Sequence, residues 1–569
     1  MAGETVARGT AVLTAAGLVS RAIGLVYRIY LVRLVGAEAI GLFQIIFPLY
    51  WVALLLGSLG VPTAVAKLVA DYQALGDTPR IARVMRWSFA LVAAASLFWS
   101  VLLLWSVPFL SAQVLSDPRT APALWVVAPS LPAVAIAAVL RGYFEGRQQM
   151  TALALLQVAE QLVHVGVTLG LVLLVPGADA RALAVVLAAG SVASDVAGLL
   201  ILGLGMWPRY RPPAVRGPFP RPWPLASPFP GGTGVAGTGS AAGQGMVRRA
   251  SAASARPAPA APASVWRFWH QSVLRRILTL AVPAAAGRLV ISLSSTVSAL
   301  LVPRGLQAAG FTVSQATTIY GEISGMALNL AFLPTIFTSS LATNMVPAAA
   351  RAALRGPAEL QHFAERALKL TTLVCLPMTA ALTFFGPDLG VLFFASERAG
   401  LITQALALPI FVTYWQQVST GILQGSGHPG LPLVASGAAT TAGAILVYLL
   451  VPRPNLGLNG AILALSISYL LGGLLSLTFV QLKTRAGINV LKHVFPVALA
   501  AFGAGGLTHR LCLWFWPAAA QGPAALARTA VGLLCMAGLY MAATWLLGLW
   551  TRENWQVLGF GGKPVTTRR

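Results

Sequence analysis

Acidic side chains are scarce in this sequence. Its 569 residues include 15 Asp and Glu against 39 Lys and Arg, and charged residues of both signs reach only 9%. Soluble domains carry about 25% charged residues, so a water-soluble globular protein is excluded. Cysteine is nearly absent, with three residues, too few for a disulfide-bonded secreted scaffold. Cys375, Cys512 and Cys535 stand in apolar stretches and read as small core residues, not as bridges or metal ligands. No Gly-X-Y period and no charged heptad occurs, which removes collagen and coiled coils. Walker A, HExxH, CxxC and GxSxG patterns are missing as well. The expectation is therefore a protein that is not an enzyme, carries no cofactor or metal, and does not burn ATP directly.

Long apolar runs fill the space that charge leaves. The chain is 57% hydrophobic and its mean hydropathy is +0.77. About 20 apolar residues cross a hydrocarbon core roughly 30 Å thick. Fourteen such stretches can be read, from near 10–32 to near 529–550. Lipid supplies no backbone partners, so each is expected to be a helix. The first stretch contains Arg21 and Arg28 and lacks a small-residue cleavage site, so it reads as a retained segment and not a signal peptide.

The net charge of +24 would suggest nucleic acid in a soluble protein. Here most Lys and Arg cluster in the segments that alternating spans place on the same side of the membrane as the N-terminus, as with Lys67, Arg80, Arg83 and Arg86, the segment 207–276 and the C-terminal tail. Few, Arg528 among them, fall in the opposite loops. By the positive-inside rule both termini are cytoplasmic in a multi-pass cell-membrane protein. The excess charge then reads as topology and attraction to anionic membrane lipids, with no nucleic-acid partner.

Residues 207–264 are rich in Pro, Gly, Ala, Ser and Arg and read as a disordered basic linker. They divide the chain into an N-lobe (1–206), a cytoplasmic linker (207–276), a C-lobe (277–482) and a C-terminal segment (483–569). RGYFEGRQQMTALALLQ after the fourth stretch and TGILQGSGHPGLPLVAS after the tenth align Gly142 and Gly146 with Gly421 and Gly425. Six is an even number, so the halves point the same way. The expected fold is an all-α polytopic membrane protein of about 14 spans: two six-helix lobes in a parallel pseudo-two-fold arrangement plus two C-terminal helices.

RGTAVLTAAGLVSRAIGLVYRIYLVRLVGAEAIGLFQIIFPLY, GVPTAVAKLVADY, LRGYFEGRQQMTALALLQVAEQLV and ISGMALNLAFLPTIFTSSLATNMVPA resemble the stage V sporulation protein B group of polysaccharide flippases. That group belongs to the multidrug/oligosaccharidyl-lipid/polysaccharide (MOP) exporter superfamily, which also contains the lipid II flippases. The resemblance implies a central cavity between lobes, alternating access, a lipid-linked sugar cargo and the membrane of a spore-forming bacterium. It also implies a tail groove near the two C-terminal helices. Arg21, in the SRxxG context of Ser20 to Gly24, matches a first-helix arginine of the lipid II flippases. Their following Arg-Asp pair is here Tyr27-Arg28, and their second-helix arginine falls near Leu55. These departures speak against lipid II itself and leave an anionic lipid-linked sugar as the implied cargo.

Charge inside a bilayer costs at least about 2.5 kcal/mol, so it faces a cavity or a partner. Arg21 and Arg28, seven apart, share a helix face. With Arg288 they would form a cationic patch that pairs with pyrophosphate through bidentate guanidinium contacts. The competing reading is that they snorkel to an interface or neutralise buried carboxylates. Gln157, Glu160, Gln161 and His164 form one polar stripe on an apolar helix. It is either a sugar-binding or proton-responsive wall, or a structural network within one lobe. Glu322 and Asn329, again seven apart, serve a coupling cation, or Glu322 pairs with Arg288. Glu160 and Asp195 complete the candidate coupling-ion groups. Asp195, among small residues in GSVASDVAG, also reads as a packing-site acid. Trp514, Phe515 and Trp516 read as an interfacial belt.

Three functions follow as expectations. The first is a flippase for lipid-linked polysaccharide or peptidoglycan precursors in spore-cortex or envelope synthesis, driven by membrane potential or a cation gradient. The second is a cation-coupled, multidrug-type exporter of small molecules. The third is a scaffold that docks envelope-synthesis enzymes through the basic linker.

Overall fold

The computed structural model describes residues 2–206, 273–486, 494–516 and 523–549. The linker at 207–264 lies outside them. Among the described residues all regular structure is helical. The first half comprises α1 (Ala2–Ser58), α2 (Val61–Ala74), α3 (Thr78–Phe109), α4 (Ala121–Val127), α5 (Leu131–Gly146), α6 (Met150–Leu174) and α7 (Ala180–Leu200). The second half opens with α8 (Val273–Ala308), α9 (Val313–Tyr320), a π-helical turn at Gly321–Ala327, α10 (Leu328–Ala331) and α11 (Thr335–Arg355). It continues through α12 (Pro357–Phe394), α13 (Glu397–Gly425), α14 (Gly430–Leu450) and α15 (Gly457–Thr484), and α16 (Phe495–Phe515) and α17 (Pro523–Leu546) follow.

Helix α1 is too long for a single crossing. Its 57 residues, at about 1.5 Å each, far exceed a core of roughly 30 Å. It breaks at Gly36, where φ is 78° and ψ 170°, a conformation open in practice only to glycine. The break separates the segments that the sequence assigns to its first two spans. A Cβ at Gly36 would meet no neighbour, so substitution there costs backbone strain alone. Gly36→Ala is expected to lower stability by about 1–3 kcal/mol, read as a lower thermal midpoint in detergent.

Nine described helices are long and apolar enough to cross a membrane, or ten if Val313–Ala331 and Thr335–Arg355, bent by 60°, form one span. All fourteen apolar stretches lie largely on helix, yet several fall short of that measure. Helix α13 shows why. It is buried along most of its length and carries Gln404, Gln416 and Gln417. Protein surrounds it, so its polar groups find partners there: Gln404 donates to the Thr383 carbonyl (2.8 Å) and Gln416 to Ser436 Oγ (3.2 Å).

The aligned glycine pairs do the same job in both halves. A Cβ on Gly142 would run into the Pro62 carbonyl oxygen, and one on Gly146 into that of Ala66. In the second half Gly421 and Gly425 meet the carbonyl oxygens of Ala342 and Val346 in the same way. Small residues let membrane helices approach backbone to backbone, so α5 lies on α2 as α13 lies on α11. The correspondence extends further. Helix α6 packs against α1 and α7, as α14 packs against α8 and α15.

Helices α16 and α17 pack on each other and on α12. Arg528, expected in an outer loop, is instead 6% exposed and ion-paired with Asp388 of α12. A guanidinium tolerates that burial because the carboxylate compensates it. Cys375 and Cys512 are buried as expected, whereas Cys535 is exposed, on a face of α17 turned from the bundle. Trp514 and Phe515 are 80% and 70% exposed, in keeping with an interfacial position.

Candidate substrate cavity

Two seams join the halves. Along the first, α1 runs beside the 324–339 region of the second half. Arg21 Nη1 donates to Ser339 Oγ and Arg28 Nη1 to Asn329 Oδ1. The Asn329 amide is held in turn by the carbonyls of Ser324 and Gly325, both at 2.9 Å. Arg33 Nε donates to the Phe393 carbonyl at 3.2 Å. The predicted shared face of Arg21 and Arg28 is therefore turned toward the opposite half.

Along the second seam, the later part of α1 faces α8 across a cavity of about 530 Å³. Gln44, Phe47, Pro48, Trp51, Leu54, Leu55 and Ser58 line one wall, and Arg288 and Ser292 the other, with Tyr320 also contributing. Arg288 and Trp51 are both exposed. No Asp or Glu is among the described lining residues. A guanidinium in a partly apolar hollow favours an anion and opposes a cation.

The seam is bounded at both ends. Toward the N-terminal side of the spans, Gly60 (φ 70°) packs on Ala281 and Ala285, and Arg276 Nη1 donates to Tyr72 Oη at 2.8 Å. At the other end Gly41 and Gly321 bring α1 and the start of the π-helical turn into backbone contact. A charged latch lies there. Arg119 pairs with Asp117 at 2.8 Å and Glu38 at 2.6 Å. Across the seam, Thr317 Oγ1 donates to Asp117 Oδ2 at 3.0 Å, Ser314 Oγ to Glu38, and Arg304 Nε to Ser116 Oγ at 2.8 Å.

Several expected groupings are not formed. The cavity lined by Arg288 does not include Arg21 or Arg28, because these stand on the earlier part of α1, along the first seam, against Ser339 and Asn329. The stripe on α6 is split and does not line that cavity. The Gln157 and Gln161 side chains lie over Gly17 and Gly24 of α1, and the His164 ring meets Tyr27 edge-on at 5.2 Å. Glu160 turns instead to Arg141 of α5 and against Gly198 of α7. Asp195 stands within electrostatic range of both Arg141 and Glu160. Glu322 does not pair with Arg288. It is 6% exposed, lies 3.4 Å from Arg398 and accepts from Ser396 Oγ at 3.1 Å, because the π-helical turn directs it toward the start of α13. Among the described residues no cluster of three His, Cys, Asp or Glu is placed to hold a metal ion.

Sequence reasoning passed over Trp51 and the latch. Glu38, Asp117 and Arg119 look like ordinary loop charges. Only Asp117-Pro118-Arg119 carries a local signal, an acid that caps the next turn through the Arg119 amide at 3.1 Å.

Residues 6–217 match the family described as polysaccharide biosynthesis protein. Stage V sporulation protein B of Bacillus subtilis (strain 168) is 28% identical over 505 residues, covering 88% of each chain. In structure the chain is similar to the lipid II flippase MurJ in an inward closed conformation, with a TM-score of 0.65, 12% identity, and coverage of 96% of this chain and 99% of that one. It is also similar to an inward-facing MATE-family multidrug resistance transporter of the MOP superfamily, with a TM-score of 0.59, 15% identity, and coverage of 82% and 94%. Over its described residues the chain is thus an all-helical membrane protein with the fold of these two transporters, and its sequence is similar to stage V sporulation protein B along most of its length.

Proposed function

We propose that this protein moves a lipid-linked, phosphate-bearing sugar across the cell membrane for envelope or spore-cortex polysaccharide synthesis, acting as a transporter and not as an enzyme. The observation that carries the reading is the cavity between the two halves, whose lining among the described residues holds Arg288 and no carboxylate. Such a hollow accepts a phosphorylated head group and disfavours the cationic cargo of a drug exporter. The family resemblance and the likeness to a lipid II flippase support the same cargo class.

With both termini in the cytoplasm, the Glu38–Asp117–Arg119 latch faces outward and closes the outer end of the seam. Alternating access then requires the latch to part while the contacts around Gly60 and Tyr72 close. An inside-negative potential favours outward movement of an anion by about 2.3 kcal/mol per charge per 100 mV, which serves in place of ATP. Glu160 and Asp195 lie near each other and near Arg141, so this pair of acids within the N-lobe is the preferred place for a coupling cation. Glu322 and Asn329 are engaged by Arg398 and Arg28.

The test is translocation by the full chain in proteoliposomes, with a polyprenyl-pyrophosphoryl N-acetylhexosamine as one probe and a lipophilic cationic dye as the other. Movement of the lipid-linked sugar alone is expected. Movement of the dye alone would replace this reading with that of a multidrug-type exporter.

A further inference from the structure

We propose that Trp51 is the platform on which the first sugar ring of the cargo stacks, so that it distinguishes a glycosylated lipid pyrophosphate from a bare one. The inference rests on the proposed cargo and assigns a residue to its sugar part. Gln44, Trp51 and Ser58 are spaced by seven, hence they stand in a line on one face of α1, and all three line the cavity. Across it stand Arg288 and Ser292 of α8. The cavity thus offers a guanidinium on one wall, and on the other an aromatic ring between two hydrogen-bonding side chains.

That ring is available yet held. Trp51 is 55% exposed, a large unburied aromatic surface in the same cavity as Arg288. Tyr50 packs edge-on against it at 6.4 Å and 68°. Tyr50 is only 4% exposed and anchored through its hydroxyl to Ser130 Oγ at 2.9 Å. Phe47 continues the cluster, 6.2 Å from Tyr50 and 4.6 Å from Phe43. A ring positioned in advance loses little entropy on binding. The C–H face of a pyranose presents what such a ring takes: a flat, weakly polar surface whose rim hydroxyls and amides need partners. Gln44 and Ser58 lie one helical step of seven to either side to supply them. A prenyl tail would leave Arg288 and Gln44 without partners, and an organic cation would meet the Arg288 charge. The volume of about 530 Å³ falls in the range of small-ligand sites, about 300–1,000 Å³.

The experiment measures equilibrium binding to the full chain in nanodiscs, using a short-chain polyprenyl pyrophosphate and the same lipid bearing one N-acetylglucosamine. Wild type is expected to prefer the glycosylated probe. Trp51→Ala should weaken it by about tenfold, in line with the energies of ring stacking, and leave the bare pyrophosphate within about twofold. Trp51→Phe, which keeps an aromatic face, should hold most of the preference. Arg288→Ala should weaken both probes alike. Equal losses for both probes in Trp51→Ala, while Trp51→Phe elutes as wild type does by size exclusion, would overturn the platform and leave the proposed cargo standing. Absence of binding by wild type to either probe would overturn the cargo as well.

Discussion

Arg288→Ala is expected to slow translocation of a lipid-linked pyrophosphoryl sugar by about 10- to 100-fold, the equivalent of the roughly 1.5–3 kcal/mol that a hydrogen bond to a charged group contributes. The expectation follows from the company Arg288 keeps. It lines the cavity with Ser292, Gln44 and Trp51, and among the described residues no carboxylate shares that lining. The side chain is exposed, so its removal should leave the stability within about 0.5 kcal/mol of wild type. Arg288→Lys retains the charge but loses the planar fork that meets two phosphate oxygens, and should fall between the two. The measurement is initial rate in proteoliposomes at fixed membrane potential. A rate for Arg288→Ala equal to wild type would remove the cationic cavity from the mechanism.

Arg119→Ala should have the largest effect on the conformational balance. Asp117 is 1% exposed and Arg119 about one third exposed. Removing the arginine leaves a buried carboxylate with Thr317 Oγ1 as its remaining side-chain donor. The expected cost is about 3 kcal/mol, the low end for a broken buried pair, because the arginine is partly screened by solvent. Glu38 loses its ionic partner in the same step. The end of the seam near Gly41 and Gly321 should then open more readily. Hydrogen exchange should rise at 110–120 and 313–320 and stay constant along α12. Asp117→Asn keeps a shape that can still accept from Thr317 and removes the charge, so its effect should be smaller. Unchanged exchange in Arg119→Ala would mean that the glycine contacts alone hold this end shut.

Much of the architecture is legible in the order of the residues. Apolar runs of spanning length imply helices because lipid offers the backbone no other partner. Gly142, Gly146, Gly421 and Gly425 mark helix contacts because only a missing side chain admits a neighbouring carbonyl so closely. The shared face of Arg21 and Arg28 follows from helical geometry, and Asn329, singled out separately, proves to be the Arg28 partner. The grouping of polar residues is less accessible. Glu160 and His164 stand a turn apart on α6, yet one meets Arg141 and the other Tyr27.

Length, apolarity and glycine spacing act locally along each helix. From them alone follow a multi-pass helical membrane protein and its two similar halves. Which polar side chains meet is set by how the helices pack: Arg288 with the cavity, Glu322 with Arg398, Arg528 with Asp388. In water, a helix's apolar stripe tells which face points inward. In a membrane, lipid and protein interior are equally apolar, so the pattern along a helix leaves its rotation open until its neighbours are in place.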